Sequence, residues 1–127
     1  MIYGVGTDII EIPRIEAALE RFGERFALRI LCEPEFRRFA AHRKPAAYLA
    51  KRFAAKEAFT KALGTGIHAP ANWHGVWVSN LRSGKPVLEF TAALKALLDS
   101  RGVGNAHVSI TDERGLASAT VILEAGR

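Results

Sequence analysis

Asp8, Glu57 and Lys61 are the residues whose types and spacing could do chemistry together. Glu57 and Lys61 stand four apart in the run RFAAKEAFTKALGTGI, so on a helix they are surface neighbours, with Ala50 and Ala54 on the same face. In isolation such a pair is an intrahelical ion pair worth about 0.3–0.5 kcal/mol. Magnesium takes one or two protein carboxylates, keeps several waters and draws its other ligands from substrate phosphates. Asp8, in the run VGTDII, and Glu57 fit that demand. Gly4 and Gly6 around Asp8, and the alanines around Glu57, are expected to leave room for a hydrated ion and a phosphate.

Other residues on or near the same helix bear on a bound anion. Tyr48, Leu49, Phe59 and Leu63 form an apolar stripe that Arg52 and Lys56 interrupt. Cations in such a stripe snorkel past rings, or meet a bound anion or another subunit. Gly64-Thr65-Gly66 is not a phosphate loop, because GxxxxGK[ST] is absent and the glycines follow the helix instead of preceding it. A helix C-terminus repels anions, so a phosphate there would need a metal, Lys61 and Arg52, with the glycines permitting close backbone approach. The four histidines show no HExxH pattern. His107 shares a strand face with Ser109 and Thr111, where a ligand contact competes with an internal hydrogen bond.

The elements that must position these residues are readable from periodicity. Alternation over residues 2–10 predicts a strand with Gly4, Gly6 and Asp8 on one side. Pro13 opens a helix with a stripe of Ile15, Ala18, Leu19 and Phe22, ended or interrupted by Gly23; a shorter helical piece follows around Phe26 to Leu31. Glu33-Pro34 opens a helix to about His42, and the long helix runs from Ala46 to Leu63 until Gly64 stops it. Val76–Asn80 and Pro86–Phe90 read as a hairpin around Arg82-Ser83-Gly84-Lys85, and Thr91–Arg101 as a helix. Residues 107–111 and 117–124 form a closing hairpin. The expected fold is α+β, an antiparallel sheet covered by helices in the order β-ααα-ββ-α-ββ, as a single domain over residues 1–127.

Composition narrows the classes. Hydrophobic residues make up 49% of the 127 and charged ones 24%, which excludes disorder and fibrous repeats. Cys32 is the only cysteine, so neither an intramolecular disulfide nor a cysteine zinc site forms within the chain. No window approaches a membrane span and the N-terminus lacks signal-peptide features, so a cytoplasmic protein is expected. The net charge is +5, and twelve of the eighteen Lys and Arg lie between Arg14 and Lys61, so that segment faces something acidic.

Four blocks, GVGTDIIEIPRI at 4–15, KRFAAKEAFTKALGTGI at 51–67, GKP at 84–86 and HVSIT at 107–111, closely resemble holo-acyl-carrier-protein synthases, the small bacterial class of 4′-phosphopantetheinyl transferases. The resemblance spans nearly the whole chain. It implies transfer of the phosphopantetheine arm of coenzyme A to a serine of apo-acyl carrier protein, with release of adenosine 3′,5′-bisphosphate, in support of fatty acid biosynthesis. It implies that Asp8 and Glu57 hold Mg²⁺ and that Lys61 meets the reacting pyrophosphate; general acid–base chemistry then expects the serine proton to go to Glu57 or a metal-bound water. By the same matching, Arg52 and His107 are expected near the coenzyme A nucleotide, at its 3′-phosphate, with Gly64, Thr65, Gly66 and Pro86 helping line the pocket. Arg14, Arg25, Phe26 and Arg29 match the surface that receives the acidic helix of the carrier protein. The class is similar in being homotrimeric with active sites between subunits, which would account for the cations in the helix stripe. The rivals are a nucleic-acid-binding module, suggested by the basic half but lacking a motif, and an idle carrier-binding oligomer.

Overall fold

A computed structural model describes residues 1–126; the expected domain boundary at Arg127 lies outside the described residues. The elements are β1 (Ile2–Glu11), α1 (Ile12–Phe22), α2 (Glu24–Ile30), α3 (Glu33–Ala41), α4 (Pro45–Leu63), β2 (Val76–Asn80), β3 (Pro86–Phe90), α5 (Ala92–Ser100), β4 (Val103–Glu113) and β5 (Leu116–Ala125). The order is thus β-αααα-ββ-α-ββ, one helix more than β-ααα-ββ-α-ββ. The short piece after Gly23 is a helix of its own, because Gly23 at φ 65° turns the chain between α1 and α2.

The strands form two sheets instead of one. Three antiparallel strands lie in the order β1-β5-β4, and β2 pairs only with β3. The β4–β5 turn places Arg114 and Gly115 both at positive φ, the two-residue hairpin geometry that matches strand twist.

Helix α4 crosses the inner face of the three-stranded sheet. Ala50, Ala54, Ala58 and Ala62, spaced by four along α4, are buried, as are Ala117, Ala119, Val121 and Leu123 of β5. The approach to β1 is so close that a Cβ on Gly4 would overlap the carbonyl oxygen of Ala62, and one on Gly6 that of Ala58. This corrects the expectation for the small residues. The glycines and alanines make no room for an ion; they bring strand and helix backbones into contact, which draws Asp8 of β1 toward α4.

The outer face of this sheet is open. Tyr3, Val5, Ile9 and Leu116 are exposed on it, and the strand register sets Val5 beside Ile122 and Ile122 beside His107. No helix among the described residues is long and apolar enough to cross a membrane.

Candidate active site

Lys61 does not pair along its own helix. Its Nζ reaches across to β1, donating to Asp8 Oδ1 at 3.1 Å and to the Thr7 carbonyl at 3.0 Å. Glu57, on the same flank of α4, is left without that cation as a close partner. Partial burial pushes its carboxyl above the ordinary carboxylate value; the charge of Asp8 pushes the same way, and Lys61 pulls it back. Asp8, Glu57 and Lys61 therefore form one cluster, as the sequence suggested, with two carboxylates against one cation.

That donor set suits a hard divalent cation. No group of three or more His, Cys, Asp or Glu side chains able to enclose a metal occurs among the described residues. Two carboxylates beside an exposed lysine match an ion that keeps waters and takes phosphate oxygens, not a fully protein-caged one. Immediately beyond, α4 ends on Gly64 in the left-handed conformation (φ 90°), whose N–H donates to the Thr60 carbonyl at 2.8 Å. Thr65 and Gly66 follow directly, so all three residues sit at the Lys61 end of the helix.

Arg52 lies elsewhere. Five residues before Glu57, it is about 140° round the helix from it. Its Nη2 donates to Asn80 Oδ1 at 3.2 Å, and its guanidinium stacks 4.5 Å from the centre of the Tyr48 ring. Asn80 Nδ2 in turn donates to the Gly84 carbonyl at 2.9 Å, and Asn80 pairs with Pro86 in the β2–β3 hairpin. Arg52 and the GKP turn thus come together around a cavity of about 700 Å³ between α3, α4 and the hairpin. Arg38, Lys51 and Arg82 add positive charge to its walls. The sequence showed Arg38 and Lys51 only as part of the basic segment from Arg14 to Lys61, and Arg82 only as a turn residue.

His107 joins neither group within the chain. It is exposed on the outer face of the sheet, where its Nε2 meets Glu124 Oε1 at 2.5 Å. The strand alternation that points Asp8 toward α4 points His107 away from it.

Lys56, the other cation in the stripe, is not aimed at a ligand or a second subunit. It is fully buried and donates to Glu35 Oε1 at 2.7 Å, to the Ile30 carbonyl at 2.7 Å and to the Trp73 carbonyl at 2.6 Å. Glu35 also accepts from the Cys32 N–H at 3.0 Å and the Val78 N–H at 2.9 Å. This ion pair ties α4 to the end of α2, to α3, to the loop before β2 and to β2 itself. Its partner stands 21 residues away, beyond any local spacing rule.

Arg14 is exposed on α1, and Arg25, Phe26 and Arg29 line a second cavity of about 380 Å³ on α2. Phe22 completes that cavity and is 54% exposed, although its helical position had assigned it to the apolar stripe. Arg21 stacks over the Phe22 ring at 5.2 Å.

Comparison with known proteins identifies the family. Residues 4–116 match the family model described as the 4′-phosphopantetheinyl transferase superfamily. A holo-[acyl-carrier-protein] synthase of Vibrio campbellii is 54% identical over 123 residues, 97% of this chain and 98% of that protein. The crystal structure of holo-[acyl-carrier-protein] synthase from Neisseria meningitidis superposes with a TM-score of 0.95 at 42% identity, covering 98% of this chain and 99% of that one. A holo-(acyl-carrier-protein) synthase from Bacillus anthracis, solved in complex with CoA (3′,5′-ADP), gives 0.84 at 36% identity over 99% of both chains. The chain belongs to the 4′-phosphopantetheinyl transferase superfamily and, within it, to the holo-[acyl-carrier-protein] synthases.

Proposed function

We propose that residues 1–127 act as one cytoplasmic domain that moves 4′-phosphopantetheine from coenzyme A to a serine of apo-acyl carrier protein, in support of fatty acid synthesis. The observation that carries this reading is the Asp8–Glu57–Lys61 cluster, built where β1 and α4 touch. The serine oxygen attacks the phosphorus that bears the pantetheine arm. The bond from that phosphorus to the bridging oxygen breaks, and adenosine 3′,5′-bisphosphate leaves. Such a transfer asks the protein for positioning and charge stabilisation more than for a nucleophile of its own.

Asp8 and Glu57 are the residues that would hold Mg²⁺, which when bound supplies positive charge to the pyrophosphate. Lys61, with its exposed ammonium, neutralises the departing bisphosphate. Glu57, on the open flank beside Asp8 and Lys61, is the carboxylate on this chain placed to receive the serine proton. Arg52, with the Gly84–Pro86 turn, takes the nucleotide end of coenzyme A in the basic cavity, and Gly64, Thr65 and Gly66 let substrate approach the backbone beside Lys61.

The working unit in this reading is a homotrimer with sites shared between subunits. Two features support it. The outer sheet face leaves Tyr3, Val5, Ile9 and Leu116 uncovered, as an interface would. His107 and the Arg52 cavity both lie away from the carboxylate cluster, so a neighbouring chain could complete the site. The groove of Phe22 and Phe26 rimmed by Arg25 and Arg29, with Arg14 nearby, suits an acidic amphipathic helix of the carrier.

Intact mass of apo-acyl carrier protein after incubation with this protein and coenzyme A tests the reading. The expected result is a gain of one phosphopantetheine with Mg²⁺ and none with EDTA. An unmodified carrier in both, with folded enzyme, would overturn it.

A further inference from the structure

Helix α4 ends where the proposed reaction brings its anionic donor, and the polarity of the helix opposes that approach. Its 19 residues align their peptide dipoles so that the carbonyl end carries roughly half a negative charge. The last carbonyls of a helix have no partner within it. That of Thr60 takes the N–H groups of Gly64 and Thr65, at 2.8 and 3.2 Å. Lys61 is the basic residue of the last turn, but its ammonium is drawn across to Thr7 and Asp8 of β1 instead of folding over the helix end. The Leu63 carbonyl is met from outside the helix: Arg101, 38 residues on, donates to it from Nη1 at 3.3 Å. A Cβ on Gly64 or Gly66 would touch nothing within 4 Å, so the backbone just past this carbonyl faces open space.

We propose that Arg101 is a positioning residue for the transfer, its guanidinium offsetting the carbonyl end of α4 so that the pyrophosphate of coenzyme A can settle beside Lys61 and the Gly64-Thr65-Gly66 turn. The inference rests on the reading of coenzyme A as the donor substrate. The backbone of Arg101 is held in place, although its side chain is exposed. It follows α5 directly, where its N–H donates to the Leu97 and Leu98 carbonyls, both at 3.1 Å, and Leu94 and Leu98 anchor that helix in the core. Gly102, at φ 74°, then turns the chain into β4. Among the described residues no carboxylate pairs with the guanidinium, so its charge is not cancelled before it reaches the helix end. Because that charge acts on bound donor and transition state alike, it favours binding more than the chemical step.

The test measures kcat and both KM values for the wild type, Arg101→Met and Arg101→Lys at about 0.1 M and about 1 M potassium chloride, between which the screening length falls from about 10 Å to about 3 Å. Arg101→Met should raise KM for coenzyme A about twofold to fivefold at the lower salt and lose most of that difference from wild type at the higher. It should leave kcat and KM for the carrier unchanged. Arg101→Lys, which keeps the charge, should recover most of the affinity. Calorimetric titration with magnesium pyrophosphate reads the same site without turnover and should show the same salt-sensitive weakening. A cap that merely ties α5 to α4 would instead lower the melting temperature, move kcat together with KM and leave a defect indifferent to salt. That pattern, or an unchanged KM for coenzyme A with unchanged pyrophosphate affinity, would overturn the inference. If the wild type transferred nothing yet bound magnesium pyrophosphate, and Arg101→Met weakened that binding in the salt-sensitive way, the role of Arg101 would stand and the transferase reading would fall.

Discussion

Lys56 and Glu57 are adjacent in sequence, but the two flanks of α4 that carry them are satisfied in opposite ways. Lys56 is fully buried and spends its three donors on Glu35 and two backbone carbonyls, while Glu35 is filled by backbone N–H groups as well. Glu57 shares an open flank with Asp8, and the one exposed lysine there is engaged by Asp8. The first arrangement is complete within the chain and fixes where α2, α3 and β2 stand. The second sets two carboxylates against one ammonium, an excess of negative charge that the proposed cation would offset. The same chemical types thus distinguish a structural flank from a reactive one by whether the chain itself supplies every partner.

Breaking the complete flank should have the largest effect. Lys56→Met or Glu35→Gln alone leaves a buried charge unpaired and should destabilise the fold by about 3–5 kcal/mol in denaturant titrations. Replacing both with apolar residues of similar volume should restore most of that loss; a double variant no better than the singles would show that the pair itself is indispensable.

On the open flank the damage should fall on turnover. Asp8→Ala or Glu57→Ala should lower phosphopantetheine transfer by about 10²- to 10³-fold, the loss typical of removing one charge-stabilising group, while circular dichroism stays native. Near-normal rates at saturating Mg²⁺ would remove the cluster from the chemistry.

Gly6→Ala probes the contact that joins the flanks to the sheet. Its Cβ would overlap the Ala58 carbonyl, so β1 and α4 must separate, at about 1–3 kcal/mol. Because the separation also moves Asp8 from Glu57, transfer should fall by more than the unfolded fraction explains. Activity that simply tracks the folded fraction would show that the close approach serves stability alone.

The smallest effect sharpens the comparison at its electrostatic point. Glu57 has a carboxyl pKa raised in the folded state, so between its unfolded and folded values the native protein holds more protons. Stability of the metal-free protein therefore falls as pH rises through that interval, and ionised Glu57 is a net burden above it. Glu57→Gln should stabilise the metal-free protein at neutral pH and make no difference below the unfolded carboxylate range. A variant less stable than wild type at neutral pH would contradict the assigned cause.

Much of this was legible in local sequence. The hairpin strands Val76–Asn80 and Pro86–Phe90 were predicted with the observed boundaries, because apolar runs there are separated by a turn with Gly84 at positive φ. The end of α4 followed from Gly64, and the grouping of Asp8, Glu57 and Lys61 from their residue types and the family resemblance, not from any sign that the strand and helix touch. What escaped required knowledge of distant contacts. Glu35 could not be matched to Lys56 from spacing, Phe22 occupied a helical position that normally packs inward, and the glycines of β1 were read as space when they permit contact. The division into two sheets depends on which strands α4 covers, which no single strand encodes.

The most direct test of the central claim, that β1 and α4 each contribute one carboxylate to a divalent-cation site, is titration of the protein with Mn²⁺ in the presence of coenzyme A, followed by electron paramagnetic resonance. Wild type should bind one ion per chain, and Asp8→Asn and Glu57→Gln should each weaken that binding about tenfold or more. Unchanged affinity in both variants would contradict the account.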